Sequence, residues 1–303
     1  MFSGLWDLLL ILAPLFIGYL FQVRRVWMHR IVDKLLSFLV YFILFLMGLG
    51  LAQVPDLAKK LSTIVGYVVC FVLVINLSNI LVLSLYDKKI GPIKQNGAQG
   101  QSTSIWRMIL SSSQLVLIVL LGFLLGMFVP QKWLPDHHNS TYVLMLLLFF
   151  VGVQLRNNGI PLRSALLNKK GTMTACWFML SSLLGGMIAA LILGLPIKQG
   201  LAIASGFGWY SLSGIVIQNA FGPVLGSVAF FNDLIREFFA LAFIPILMVK
   251  RPCAAIGIGG ATSLDFTLPV IQRSGGMAVV PIAISFGLIV NICSPILMIL
   301  FTQ

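Results

Sequence analysis

Glu237 is the only glutamate in a chain that carries eight acidic residues. It lies in FFNDLIREFF with Asn232, Asp233 and Arg236, where spacings of three and four put the charged residues on one helical face. Asp265 follows in the run GATSLDFTLP, and both runs are otherwise apolar enough to lie in a membrane. A carboxylate near the bilayer centre costs about 2.5 to 3.5 kcal/mol on insertion scales, so such residues mark ion, proton or substrate pathways. The chemistry this points to is exchange: Glu237 or Asp265 binds a cationic group and releases it on taking a proton, the coupling step of an antiporter. Burial and a neighbouring cation move a carboxylate's proton affinity in opposite directions, so a membrane acid can be tuned until proton and substrate compete. The alternative is an internal ion pair, Arg236 between two acids, that orients helices.

Polar residues beside these acids complete the candidate set. Tyr210, Ser211 and Ser213 lie in SGFGWYSLSG, and Thr262, Ser263 and Thr267 flank Asp265. Trp209 and Tyr210 are read either as an aromatic face for an ammonium group or as interfacial anchors. Asp56, just past Pro55, is expected near the outer surface, where it either helps substrate leave or is a plain loop acid.

Composition sets the class. The 303 residues are 59% hydrophobic and 9% charged, with mean hydropathy +1.03, whereas a soluble domain carries about 25% charged residues. The net charge of +12 sits in short loops between apolar runs, which fits anionic lipid headgroups and not nucleic acid. Cys70, Cys176, Cys253 and Cys293 occur singly, and His29, His137 and His138 fall in predicted loops, so neither metal nor other cofactor is expected. A phosphate-cradling GxxxxGK[ST] run is absent, and no serine has a histidine at triad-like spacing in sequence. The reading is therefore a transporter rather than an enzyme.

Apolar runs of the length a helix needs to cross the hydrocarbon cover residues 4–21, 35–54, 61–85, 108–130, 141–155 and 172–195, with further long helices at 230–249 and 277–302. The fold expected is an all-α polytopic bundle. Loops 22–34, 86–107 and 156–170 hold twelve of the twenty basic residues, which places them in the cytoplasm and both termini outside. The run MFSGLWDLLLILAPLFIGYLFQVRR has no positive residue before its apolar core, so it is expected to be retained as a first crossing.

Two internal matches suggest how the bundle is built. An offset of 104 residues lays Gly18 on Gly122 and Gly48 on Gly152, three crossings apart, so residues 1–85 and 108–195 read as inverted three-helix repeats. An offset of 54 lays Ser213 on Thr267, Gln218 on Gln272 and Gly222 on Gly276, within residues 200–303. Both copies there are rich in glycine and serine and read as interrupted helices. Pro269 and the glycines are expected to leave backbone groups free to meet a substrate. If both interrupted segments are re-entrant there are eight full crossings, and if both span there are ten; basic residues Lys250, Arg251 and Arg273 favour eight.

The runs VGVQLRNNG, SGFGWYSLSG, FFNDLIRE and GATSLDFTLPV resemble those of the LysO-type lysine exporter family, over essentially the whole chain. The resemblance implies a bacterial inner-membrane exporter of L-lysine and of analogues such as thialysine, driven by the proton gradient. It implies that the glutamate of the NDLxRE run, Glu237 here, is important. The family's acid near the second crossing has no secure equivalent; Asp56 is the nearest candidate. Partners expected are lysine, protons with sodium as the alternative ion, membrane lipid, and a second copy in a homodimer. A sodium-coupled transporter and a non-transport sensor or channel are the rival readings.

Overall fold

In lipid a backbone must satisfy its own hydrogen bonds, so apolar chain of this kind folds as helices. A computed structural model of the protein describes residues 13–14, 16–23, 26–52, 57–90, 105–129, 137–157, 168–276 and 278–303. A helical stretch over 16–20 is followed by α1 (Val26–Ala52), α2 (Leu57–Ile90), α3 (Ile105–Gly126), α4 (His137–Asn157) and α5 (Lys169–Leu193). Next come the short α6 (Ile197–Ala204), α7 (Tyr210–Phe221) and the long α8 (Pro223–Met248). The pattern recurs as α9 (Pro252–Gly259), a tight 3-10 turn (Gly260–Leu264), α10 (Leu268–Gly275) and the long α11 (Val280–Thr302). No strand occurs among the described residues.

Side-chain burial shows why these helices suit a membrane. Along α2, Val65, Val69, Leu73, Leu77, Leu81 and Leu85 recur every four residues and are all exposed, whereas Ile64, Val68, Phe71, Ile75 and Leu83 on the other side are buried. An apolar stripe facing outward is the reverse of a soluble helix and belongs against lipid tails. The segments 61–89, 169–193 and 280–302 are long and apolar enough to span a bilayer. Helices overshoot the apolar runs: α1 starts at Val26 rather than 35 and α2 continues through Lys88 and Lys89. Hydropathy reports where lipid ends, and a helix can run on into water. His29, His137 and His138 consequently lie in first helical turns and not in loops.

The described helices sort into two groups. α1 packs chiefly on α3 and then α4, while α2 packs on α5, α8 and α9, and α11 on α5 and α6. Small residues set the first group. Gly122 of α3 lies on the backbone of Phe45 in α1, and Gly18 lies on the backbone of Phe149 in α4. Glycine is needed at both because a Cβ would enter the facing carbonyl. These two contacts exchange partners under the 104-residue offset noted above. The second group meets the first through Leu39, Ile43, Leu147 and Leu148 against Leu212, Ile215 and Val216.

Within the second group two apolar clusters divide the bundle. One contains Ile64 to Ile75 of α2, Leu193 and Leu195 after α5, Phe221 and Val224 around the start of α8, and Phe301 at the end of α11. The other contains Leu83 of α2, Ala175 and Phe178 of α5, Met248 of α8, and Val279 and Ile282 at the start of α11. The pair α6–α7 therefore begins and ends beside the first cluster. The pair α9–α10 begins and ends beside the second, where Gly275 touches Met248. Their inner ends meet where Ala204 of the first cluster comes near Phe207 and Ala261 of the second, and the amide of Ala261 donates to the carbonyl of Phe207 at 2.9 Å. Glycines Gly222 and Gly276 close α7 and α10 with φ 90° and φ 74°, conformations glycine adopts freely.

Asp87, at the end of α2, fixes the second pair. Its carboxylate accepts from the amides of Cys253 and Ala254, each at 3.0 Å, and so caps the start of α9 across the bundle. Cys253 is fully buried beneath it. In a protein whose other three cysteines are replaced, Asp87→Ala should turn Cys253 from resistant to readily labelled by a maleimide. Unchanged protection would mean that the cap does not hold α9 in place.

Candidate functional site

The inner ends of the two helix pairs are built around one strained carbonyl. α6 ends at Ala204, and Phe207 takes a positive φ of 50°, unusual for a bulky residue. That turn directs its carbonyl to receive both the Ala261 amide and Nη2 of Arg236. Gly208 and Gly260, with φ 92° and 57°, lie against the same guanidinium, and a Cβ on either would enter it. α6 and α9 bring their C-terminal, partly negative ends to this crossing, so a buried cation beside them is electrostatically favourable. Arg236 also lies over the Phe178 ring, 5.4 Å from its centroid.

Asp233 is held from the same side. Its Oδ2 accepts from Ser213 Oγ at 2.6 Å, and its Oδ1 accepts from the Gly208 amide and from Asn232 Nδ2, both at 3.1 Å. Three donors on a fully enclosed carboxylate make it a structural anchor for the first inner end. α11 supplies the matching support. Asn291 Nδ2 donates to the carbonyl of Ala261 at 2.8 Å, and Ser294 Oγ donates to the carbonyl of Ser205 at 2.9 Å.

Glu237, one turn beyond Asp233 on α8, is also buried. Asp265, just past the 3-10 turn, is exposed. Its Oδ1 accepts from the Phe266 amide at 2.5 Å. Tyr210, the first residue of α7, stands within electrostatic reach of both Glu237 and Asp265 and packs edge-on to Phe230. Arg236 is in reach of Asp233 and Glu237. The residues anticipated from sequence on α7, α8 and the turn before α10 therefore gather at one crossing.

The others divide. Ser211 is buried on α7. Thr262 donates to the carbonyl of Gly259 and lies 3.4 Å from the Thr267 hydroxyl, while Ser263 donates to the carbonyl of Ile256. These three hydroxyls stabilise their own turn. Pro269 sits in the first turn of α10, where no amide is required, so it starts that helix rather than freeing a carbonyl. Trp209 packs on two interior clusters and is no interfacial anchor. Asn157 accepts from the Val23 amide at 3.0 Å, tying the segment before α1 to the end of α4. Asp56 lies outside the described residues.

Sequence reasoning missed Phe207, Asn291, Ser294 and Asp87. Asn291 carried a signal, since it stands at the 54-residue offset from Glu237. Phe207 and Asp87 carried none, because their roles depend on tertiary contacts.

The sequence profile of the family described as lysine exporter LysO matches residues 116–302. A protein of Escherichia coli (strain K12) named lysine exporter LysO is 46% identical over 302 residues, 100% of both chains. A provisionally named lysine exporter of Haemophilus influenzae is 54% identical over 191 residues, covering 63% of this chain and 97% of its own length. No solved structure matches the chain. With its apolar helices and its carboxylates gathered at a helix crossing, and with end-to-end identity of this order, the chain belongs to the lysine exporter LysO family.

Proposed function

We propose that the protein is a secondary active exporter of L-lysine, and of analogues such as thialysine, in the bacterial cytoplasmic membrane. It exchanges the substrate for protons. The observation that carries this is the charge balance at the crossing: Asp233, Glu237 and Asp265 against Arg236, the one cation among the described residues there. Asp233 is taken up by three hydrogen bonds. The buried Glu237 and the exposed Asp265 are the proposed receptors for ammonium groups, and Glu237 is the carboxylate on which proton and substrate alternate. The names of the relatives support lysine as the cargo.

The arrangement proposed is eight crossings with two re-entrant helix pairs that enter from opposite sides and meet at the bilayer centre, with both termini outside. It is supported by the outer ends of α6–α7 lying on the first cluster and those of α9–α10 on the second. The exchanged glycine contacts support inverted repeats over 1–85 and 108–195, and residues 200–303 form the transport region. Alternating access follows if the group bearing the re-entrant pairs shifts against α1, α3 and α4 across their aliphatic contact.

In proteoliposomes of purified protein, labelled lysine should move with an imposed pH gradient, and Glu237→Gln should lower that flux by roughly tenfold or more while the protein stays folded. Normal flux in this variant, or flux that follows sodium instead, would remove the assignment. Cysteines introduced at Arg251 and Arg273 should react with an impermeant reagent only from the cytoplasmic face, and one at Gln303 only from outside. Labelling at 251 from outside would favour ten crossings.

A further inference from the structure

Arg236 has more donors than the crossing uses. The face of its guanidinium rests on Phe178 and Nη2 donates to Phe207, but Nε and Nη1 have no hydrogen-bond partner although only 2% of the residue is exposed. Buried polar groups of a charged side chain are nearly always satisfied, so two idle donors in mid-bundle point to something that binds there. Asp233 does not take them, being engaged with Gly208, Ser213 and Asn232. Gly208 and Gly260 let the guanidinium lie directly against the backbone of both inner ends.

We infer that Arg236 is the receptor for the substrate's α-carboxylate, so that Arg236, Glu237 and Asp265 offer one positive and two negative charges to a molecule with one carboxylate and two ammonium groups. This rests on the reading of the protein as a lysine exporter and adds how an α-amino acid is told from a simple diamine. A fork of charged donors is suited to a carboxylate. The same three charges select for dibasic amino acids over neutral ones, whose single ammonium leaves one acid unmatched.

The test compares lysine with cadaverine, which lacks the carboxylate, and with lysinamide, in which it is capped. Each is used to compete for labelled lysine flux in proteoliposomes. Wild-type protein should prefer lysine by about 10- to 100-fold over both, the range expected for one charge-assisted pair. Arg236→Lys keeps a charge and a donor for Phe207 but loses the fork, and should lose most of that preference through a raised KM for lysine. Equal competition by cadaverine or lysinamide in wild-type protein overturns the inference and needs no variant, so it decides even if Arg236→Lys fails to fold. A preference unchanged in a folded Arg236→Lys protein also overturns it, and assigns ordered water to those donors. Absence of any lysine flux in wild-type protein removes instead the reading beneath it.

Discussion

The carbonyl of Phe207 is the point on which the rest of the core is arranged. A helix interrupted inside a membrane leaves backbone groups without partners, and each such group is expensive where no water is present. Here two interruptions are placed against each other so that one partly satisfies the other, through the Ala261 amide. What remains is met from the long helices. Arg236 reaches the Phe207 carbonyl and Asp233 takes the Gly208 amide, while Asn291 and Ser294 serve the carbonyls of Ala261, Ser205 and Gly206. The positive φ of Phe207 is tolerated because these bonds over-determine it. Polar residues that read from sequence as a binding cluster are thus, in good part, the means by which a broken backbone is kept in the membrane.

The same constraint explains where the polar residues stop. Between the two apolar clusters lies one layer containing Asn76 and Asn79 of α2, Ser181 and Ser182 of α5, and the crossing residues of α8. Ser181 and Ser182 both donate to Asn79 Oδ1, at 2.5 and 3.0 Å. Outside that layer the buried faces are mostly aliphatic, with Asp87, Thr174, Ser227 and Ser285 among the exceptions. In lipid there is no hydrophobic gain from pairing helices, so close contact depends on small residues. Gly185 set against Ile75 and Ser78, and Gly186 against Gly200, bring α5 onto α2 and α6.

Much of this was legible in the chain, for reasons that differ by element. Long apolar runs announced α2, α5 and α11 because lipid imposes a length. Their ends were misjudged because helical turns such as 26–34 continue in water. The 54-residue offset located both interruptions, and Gly222 and Gly276, matched by it, adopt closely similar backbone angles at the ends of α7 and α10. Clustering of Asp233, Arg236 and Glu237 followed from helical spacing alone. That Asp233 would be consumed by the Gly208 amide was illegible, since it depends on residues 25 positions apart meeting through a fold. The hydroxyls of Thr262 and Ser263 bond carbonyls of their own turn, contacts that spacing in the sequence does not announce.

A division of labour follows from these geometries. An acid that already accepts three hydrogen bonds has its oxygens occupied by fixed donors, and a cationic ligand gains little by approaching it. An exposed acid with a backbone donor on one oxygen, as Asp265 is, still has charge to offer. Arg236 holds both offices, with one nitrogen spent on the fold and two left over. A lysine in its place would present one compact ammonium on a flexible stem, adequate for a single carbonyl but unable to bond it and a second planar group at a fixed angle. The planar fork is what lets one residue brace the crossing and still face a ligand. Movement of substrate away from Arg236 would then be felt directly at the Phe207 carbonyl. Under the proposed binding, the mutual position of the two helix pairs is coupled to the substrate through that one side chain.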